Sequence, residues 1–216
     1  MLGVVTGLTA EAKIAQRLGV PVRAGGGTPE GAERAARELA TLGVTALLSF
    51  GLAGGLDPEL QPGDLIVPNA VVEDGRIRIA SRLLSGCLGE ARHGMLLSYN
   101  RIVTSVAEKA ELSKSTLCRV VDMESGAVAR VAEMNGLPFA VLRAVCDDAA
   151  RTLPDAASAA LNSKGAIAIS RVALSVLLNP LQIPALITLG RDAGRARAAL
   201  VGRVHQISVS GFGSVL

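Results

Sequence analysis

Four carboxylates stand at the two ends of one stretch, residues 120–148 (VVDMESGAVARVAEMNGLPFAVLRAVCDD). Asp122 and Glu124 flank Met123 at one end, and Asp147 and Asp148 close the other. Acids on two facing walls of a crevice suit a polyol bound beside a leaving group that must be protonated. Taken singly, each has a plainer reading. An acidic residue at a helix N-terminus is favoured by the macrodipole alone, and Asp147 or Asp148 can be a loop or cap residue.

The surrounding residues decide where these acids sit. Val120 and Val121 end a β-branched run, and residues 123–135 then place Val128, Val131 and Ala132 on one helical stripe. Gly136 and Pro138 stop that helix. Residues 139–145 (FAVLRAV) read as a strand covered on both faces, as in α/β proteins. The acids therefore fall at carboxyl ends of strands, where open α/β sheets bind ligands. Upstream, residues 2–5 read as a first strand, and Thr9 caps a helix reaching about Leu18. Glu11 is then in its first turn, as a dipole partner or as a base. Residues 23–28 (RAGGGT) precede a helix over 29–42, so Gly25, Gly26, Gly27 and Thr28 either cradle an anion with backbone N–H groups or form a tight turn. Their spacing fits neither the dinucleotide fingerprint nor the P-loop. Strands are expected at 44–50, 76–80 and 93–98, a glycine-rich loop at 51–63, and a helix over 82–90. His93 is alone and reads as a surface or hydrogen-bonded histidine. The polar run 108–115 reads as a solvated helix or lid.

A chain of 216 residues, 50% hydrophobic and 19% charged, suits one sizeable α/β domain. With 2% aromatic residues and no Trp it lacks stacking platforms for nucleic acid, despite a net charge of +3. The positive excess lies largely in Arg191, Arg195, Arg197 and Arg203. Cys87, Cys118 and Cys146 are scattered and no histidines cluster, so neither a disulfide framework nor a metal site is indicated, and a reducing cytoplasm is the simplest compartment. Met1 leads straight into a strand, without a signal peptide. Residues 172–190 are uncharged but broken by Asn179, Pro180, Gln182 and Pro184, which predicts two short apolar helices rather than a membrane span.

Residues 122–149 resemble the signature of the purine nucleoside phosphorylase and nucleosidase superfamily, most closely its methylthioadenosine/adenosylhomocysteine nucleosidase branch. That branch carries an acidic-Met-Glu triplet, a helix, and a strand ending Arg-Ala-(Ile/Val)-Ser-Asp. Asp122, Met123, Glu124, Arg143, Ala144, Val145, Cys146 and Asp147 match it, with Cys146 in place of the serine. Residues 51–56 (GLAGGL) and 63–67 (GDLIV) are a second match. The resemblance implies a three-layer α/β/α fold with a central twisted mixed sheet. It implies that Glu124 binds ribose hydroxyls, Met123 packs on the sugar, Asp147 protonates the departing purine and Glu11 activates water. Ile102 and Val103 take the place of the loop that sandwiches the base. Phosphorylases of the superfamily usually have Ser or Thr at the position of Leu52 and often Arg at that of Ser49. Leucine cannot donate to phosphate, and unpaired phosphate oxygens are costly, which favours water as nucleophile. Residues 156–178 resemble the superfamily's closing helix. The short N-terminal half and the tail resemble the hopanoid-associated branch, linked with removal of adenine from an adenosylated hopane lipid, whose body would lie against Leu52, Ile102, Val103 and the C-terminal segments.

The expectation is thus a catalytic domain over 1–178 and an apolar, basic helical extension over 179–216. The function expected is a nucleosidase cleaving adenine from a 5′-modified, lipid-linked adenosine, without metal or organic cofactor. A phosphorylase using Gly25 to Thr28 as anion cradle, and a catalytically silent lipid-binding module, are the alternatives. The resemblance also implies a homo-oligomer, and the tail suggests peripheral membrane contact through 172–203 at the cytoplasmic face.

Overall fold

A computed structural model describes residues 1–154 and 179–207. Along the central strands, successive side chains alternate between two buried faces, the period-2 rule of extended chain. Strands β1 (Leu2–Thr6), β3 (Ala46–Gly55) and β9 (Phe139–Asp147) lie side by side and parallel. Val4, Leu48, Phe50 and Leu142 point to one face, where Ile14, Leu18, Ala196, Leu200 and Val204 cover them. Val5, Leu47, Val141 and Val145 point to the other, under Ala32, Ala36, Leu39, Val128 and Val131. The first cover comes from helices α1 (Thr9–Ala15) and, numbering helices in chain order, α6 (Ile183–Gln206). The second comes from α2 (Pro29–Thr41) and α5 (Ser125–Met134). The result is a three-layer α/β/α fold on a mixed sheet.

The remaining strands are β2 (Val22–Ala24), β4 (Leu65–Ile66), β5 (Ala70–Glu73), β6 (Arg76–Ile79), β7 (Met95–Ser98) and β8 (Cys118–Asp122). The sheet runs β2-β1-β3-β8-β7-β5-β6, with β9 pairing β3 and β4. One edge of β3 pairs β9. Its other edge pairs β1 and then, at Gly54 and Gly55, antiparallel β8. This hand-over brings the ends of β1, β8 and β9 around the upper half of β3.

Several boundaries differ from expectation. β3 continues through Gly55, so the glycine run of the predicted loop is half strand, with a register shift between Ala53 and Gly54. β9 reaches Asp147, which is therefore the last strand residue. Helix α5 begins at Ser125, because Glu124 is its N-cap. Helix α1 is capped at Leu8 rather than Thr9: the Glu11 carboxylate takes the Leu8 N–H and supplies the cap itself. The helix expected over 82–90 shortens to α3 (Arg82–Gly86), and α4 (Val106–Thr116) occupies the polar run. The largest correction is at the tail. Pro184 falls in the first turn of α6, where proline is tolerated, so one helix runs through Gly190 and the arginines instead of stopping. Among the described residues no helix is long and apolar enough to cross a membrane. The closing helix expected over 156–178, and the first half of the apolar stretch, lie outside the described residues.

Candidate active site

β1 turns at Gly7 into α1, and the first turn of α1 carries Glu11 under β3. Glu11 is 2% exposed, with Oε2 accepting from Leu8 N–H (2.8 Å) and Oε1 from Leu52 N–H (3.1 Å). Leu52 thus contributes its amide to the site, while its half-buried side chain packs against the core. Burial raises the Glu11 pKa above the usual carboxylate range, opposed first by the Arg143 charge.

Arg143, fully buried on β9, is the hub. Its Nη2 lies 2.5 Å from Asp122 Oδ2 and 3.4 Å from Glu124 Oε2, and donates to Ser49 Oγ (2.7 Å) and Ser125 Oγ (3.1 Å). Ser125 in turn donates its N–H and hydroxyl to Asp122, and the two serine hydroxyls touch at 3.0 Å. Nε and Nη1 of Arg143 have no hydrogen-bond partner among the described residues. A Cβ added at Gly51 would lie 2.5 Å from Nη1 and 2.7 Å from Glu11 Oε2, and one at Gly7 would lie 2.5 Å from Glu124 Oε1. Both positions must be glycine for this much charge to converge. Glu124 is pushed up to about 8, chiefly by burial and further by Asp122 and Glu11, against the pull of Arg143. Met123 is half-buried between β8 and α5.

Asp147 is 4% exposed and ion-pairs through Oδ2 with Lys109 Nζ of α4, while its Oδ1 accepts from Cys146 Sγ (3.4 Å). Burial raises its pKa and Lys109 lowers it. Cys146, half-exposed by surface area but with its sulfur desolvated beside Asp147, is held well above its usual pKa and stays a thiol donor. Asp148 separates from Asp147 by turning outward to Arg151 (3.0 Å). Lys109 is the functional side chain that sequence reading missed. It sits 0% exposed in a helix otherwise polar at 108, 111 and 114, and one buried lysine leaves no periodic signal.

The other candidates divide. Gly26 N–H donates to Gly7 O (2.9 Å) and Gly25 N–H to Thr6 O (2.7 Å), so two amides of the glycine run tie β2 to β1, and Thr28 caps α2 by accepting from Gly31 N–H. This places Gly25, Gly26, Gly27 and Thr28 next to Gly7 but commits the N–H groups of Gly25 and Gly26. Val103 is core, 4% exposed with Leu56, Leu97 and Val121, whereas Ile102 is half-buried on the loop anchored by Tyr99 N–H on Asp122 O (2.7 Å). His93 Nδ1–H donates to Val67 O (3.0 Å) beside a separate groove of about 800 Å³ between β6 and α3.

The family model described as the phosphorylase superfamily matches residues 20–81 and 85–178. No curated protein matches the chain. Among solved structures, 5′-methylthioadenosine/S-adenosylhomocysteine nucleosidase of Helicobacter pylori is 18% identical, with a TM-score of 0.68, over 95% of this chain and 97% of that one. Native futalosine hydrolase of Helicobacter pylori strain 26695 gives the same values: 18%, 0.68, 95% and 97%. S-adenosylhomocysteine nucleosidase of Streptococcus pyogenes, in complex with 5-methylthiotubericidin, is 14% identical with a TM-score of 0.69, over 96% and 97%. At these identities the likeness is one of fold.

Proposed function

The chain belongs to the phosphorylase superfamily, and from that premise we propose that it is a nucleosidase, splitting adenine from a 5′-modified adenosine with water as nucleophile. The observation that carries this reading is the charge around Arg143. Asp122, Glu124 and Glu11 surround a single guanidinium, all of them buried. The one guanidinium is already paired with Asp122 rather than free to hold a phosphate anion, and the carboxyl oxygens beside it can stabilise the positive charge that C1′ of a ribose acquires as its base leaves. The amides of Gly25 and Gly26, already spent within the fold, point the same way.

In this mechanism Glu124 holds the ribose diol, with Met123 against the sugar. Glu11, oriented by two backbone donors and made a stronger base by burial, removes a proton from water as its oxygen bonds to C1′. Asp147 gives a proton to N7, so that adenine departs neutral when C1′–N9 breaks. Ile102 borders the base. The finer reading is an apolar, lipid-like 5′ substituent, supported by the exposed Leu181 just before α6, Ile183 and Ile187 in its first two turns, and the arginines that follow. A homo-oligomer in the cytoplasm with peripheral membrane contact belongs to the same proposal, and Ile77 and Ile79 on edge strand β6 are exposed.

The test is adenine release from a panel of 5′-substituted adenosines, one with a hydrophobic tail, with and without phosphate. Release without phosphate is expected, fastest with the tail. Strict dependence on phosphate would overturn the choice of nucleophile.

A further inference from the structure

The Asp147 carboxylate that donates a proton in the mechanism above is ion-paired in this structure. Its partner, Lys109, is buried where α4 meets the end of β9, and has three acceptors: Asp147 Oδ2, Asp148 O (2.8 Å) and Arg151 O (3.1 Å). An ammonium has three N–H donors, so every one is matched. The same geometry satisfies the alternative protonation. A neutral amine offers two N–H groups to the two carbonyls and turns its lone pair to a protonated Asp147. Neither state leaves a buried polar group unpaired, and such matching is what allows a proton to sit on either partner at low cost.

We propose that Lys109 is the proton reserve of Asp147, a positioning residue that acts through it on the departing base. The inference rests on the nucleosidase reading. When C1′–N9 breaks, its electron pair goes to the purine and the Asp147 proton goes to N7. That proton is the one Asp147 Oδ2 takes from the Lys109 ammonium, so Asp147 ends as a carboxylate and Lys109 as an amine. Water bonds to C1′ and its proton goes to Glu11. Lys109 regains a proton and Glu11 releases one to solvent, so the sum is addition of one water. The groups facing the pair are Cys146 and Asp148 on either side of Asp147, Arg151 beyond them, and Asp192 of α6, which holds Arg151. Glu108, beside Lys109 on α4, is engaged by Arg101 (3.2 Å) and takes no part.

Lys109→Arg keeps the charge and donors but never gives up a proton, and Lys109→Met removes both. The two variants are compared on the panel adenosine turned over fastest and on p-nitrophenyl β-D-ribofuranoside, whose leaving group needs no proton. Both are expected to lose about 100-fold in adenine release while nitrophenol release stays within about 3-fold, which also reports that the site is folded. In the unmodified protein, adenine release should fall at alkaline pH through a limb that nitrophenol release lacks. Equal loss of both activities in Lys109→Arg, or one alkaline limb common to both substrates in the unmodified protein, would overturn the proton reserve alone. Absence of base release from any panel nucleoside by the unmodified protein would overturn the nucleosidase reading, and this inference with it.

Discussion

Replacing Arg143 by Met keeps most of the buried stem and deletes the charge that three carboxylates share. Its Nη2 makes ion pairs with Asp122 at 2.5 Å and Glu124 at 3.4 Å and bonds to Ser49 and Ser125. Breaking a buried pair by removing one partner costs about 3–5 kcal/mol. For a domain of this size, at about 2–4 °C per kcal/mol, the melting temperature should fall by roughly 6–20 °C near pH 8. The penalty must also depend on pH. Arg143 holds down the pKa values of Glu11 and Glu124, both already raised by burial, so without it both rise further. A carboxyl whose folded pKa exceeds its unfolded value stabilises below the unfolded pKa and loses that contribution as pH rises through the folded one. Urea unfolding at pH 5 and pH 8 should therefore show a smaller penalty at the lower pH, where the broken pair with Asp122 remains, and the full one at the higher. A loss under about 1 kcal/mol at pH 8, or the same loss at both, would refute the hub role given to Arg143.

Other substitutions separate chemistry from scaffold. Glu11→Gln leaves one oxygen for the Leu8 and Leu52 amides together, so it should cost about 1–3 kcal/mol in denaturant unfolding and release base about 10²–10⁴-fold more slowly, read by adenine chromatography. Glu124, pushed up to about 8, makes the parent lose stability as pH climbs from the ordinary carboxylate range toward 9. Glu124→Gln should flatten that decline in melting temperature, and an unchanged slope would show that another group causes it. Gly51→Ala drives its Cβ onto Arg143 Nη1 and Glu11 Oε2 and should cost about 1–3 kcal/mol in denaturant unfolding, with a loss of base release at least as large in fold terms.

The strand-helix-strand unit carrying Asp122, Glu124 and Asp147 was legible because apolar periodicity and the Gly136 and Pro138 stops are local signals. Glu11 was legible as a first-turn acid, but its double hold by Leu8 and Leu52 amides depends on β3 lying beside β1. Arg143 was visible within a motif, whereas its role came from registry: opposite Gly51, it is surrounded by residues from β3, β8 and α5 that are 18 to 94 positions away. Lys109 had no signal, since a lysine turned inward from a polar helix reads like its solvated neighbours. Gly25 and Gly26 show the opposite case. Their donors look available in sequence and are consumed by Thr6 and Gly7 once β2 pairs with β1.

Asp192, 2% exposed on α6, ion-pairs with Arg151, whose carbonyl and that of Asp148 hold Lys109 against Asp147. The outer helix and Asp147 are therefore ends of one chain of contacts. Under the proposed mechanism, a partner that docks on the exposed start of α6 and shifts Asp192 would change the affinity for the base by some factor. Thermodynamic reciprocity then requires base binding to change the docking affinity by that same factor. A surface on which α6 rests would know whether the crevice is filled.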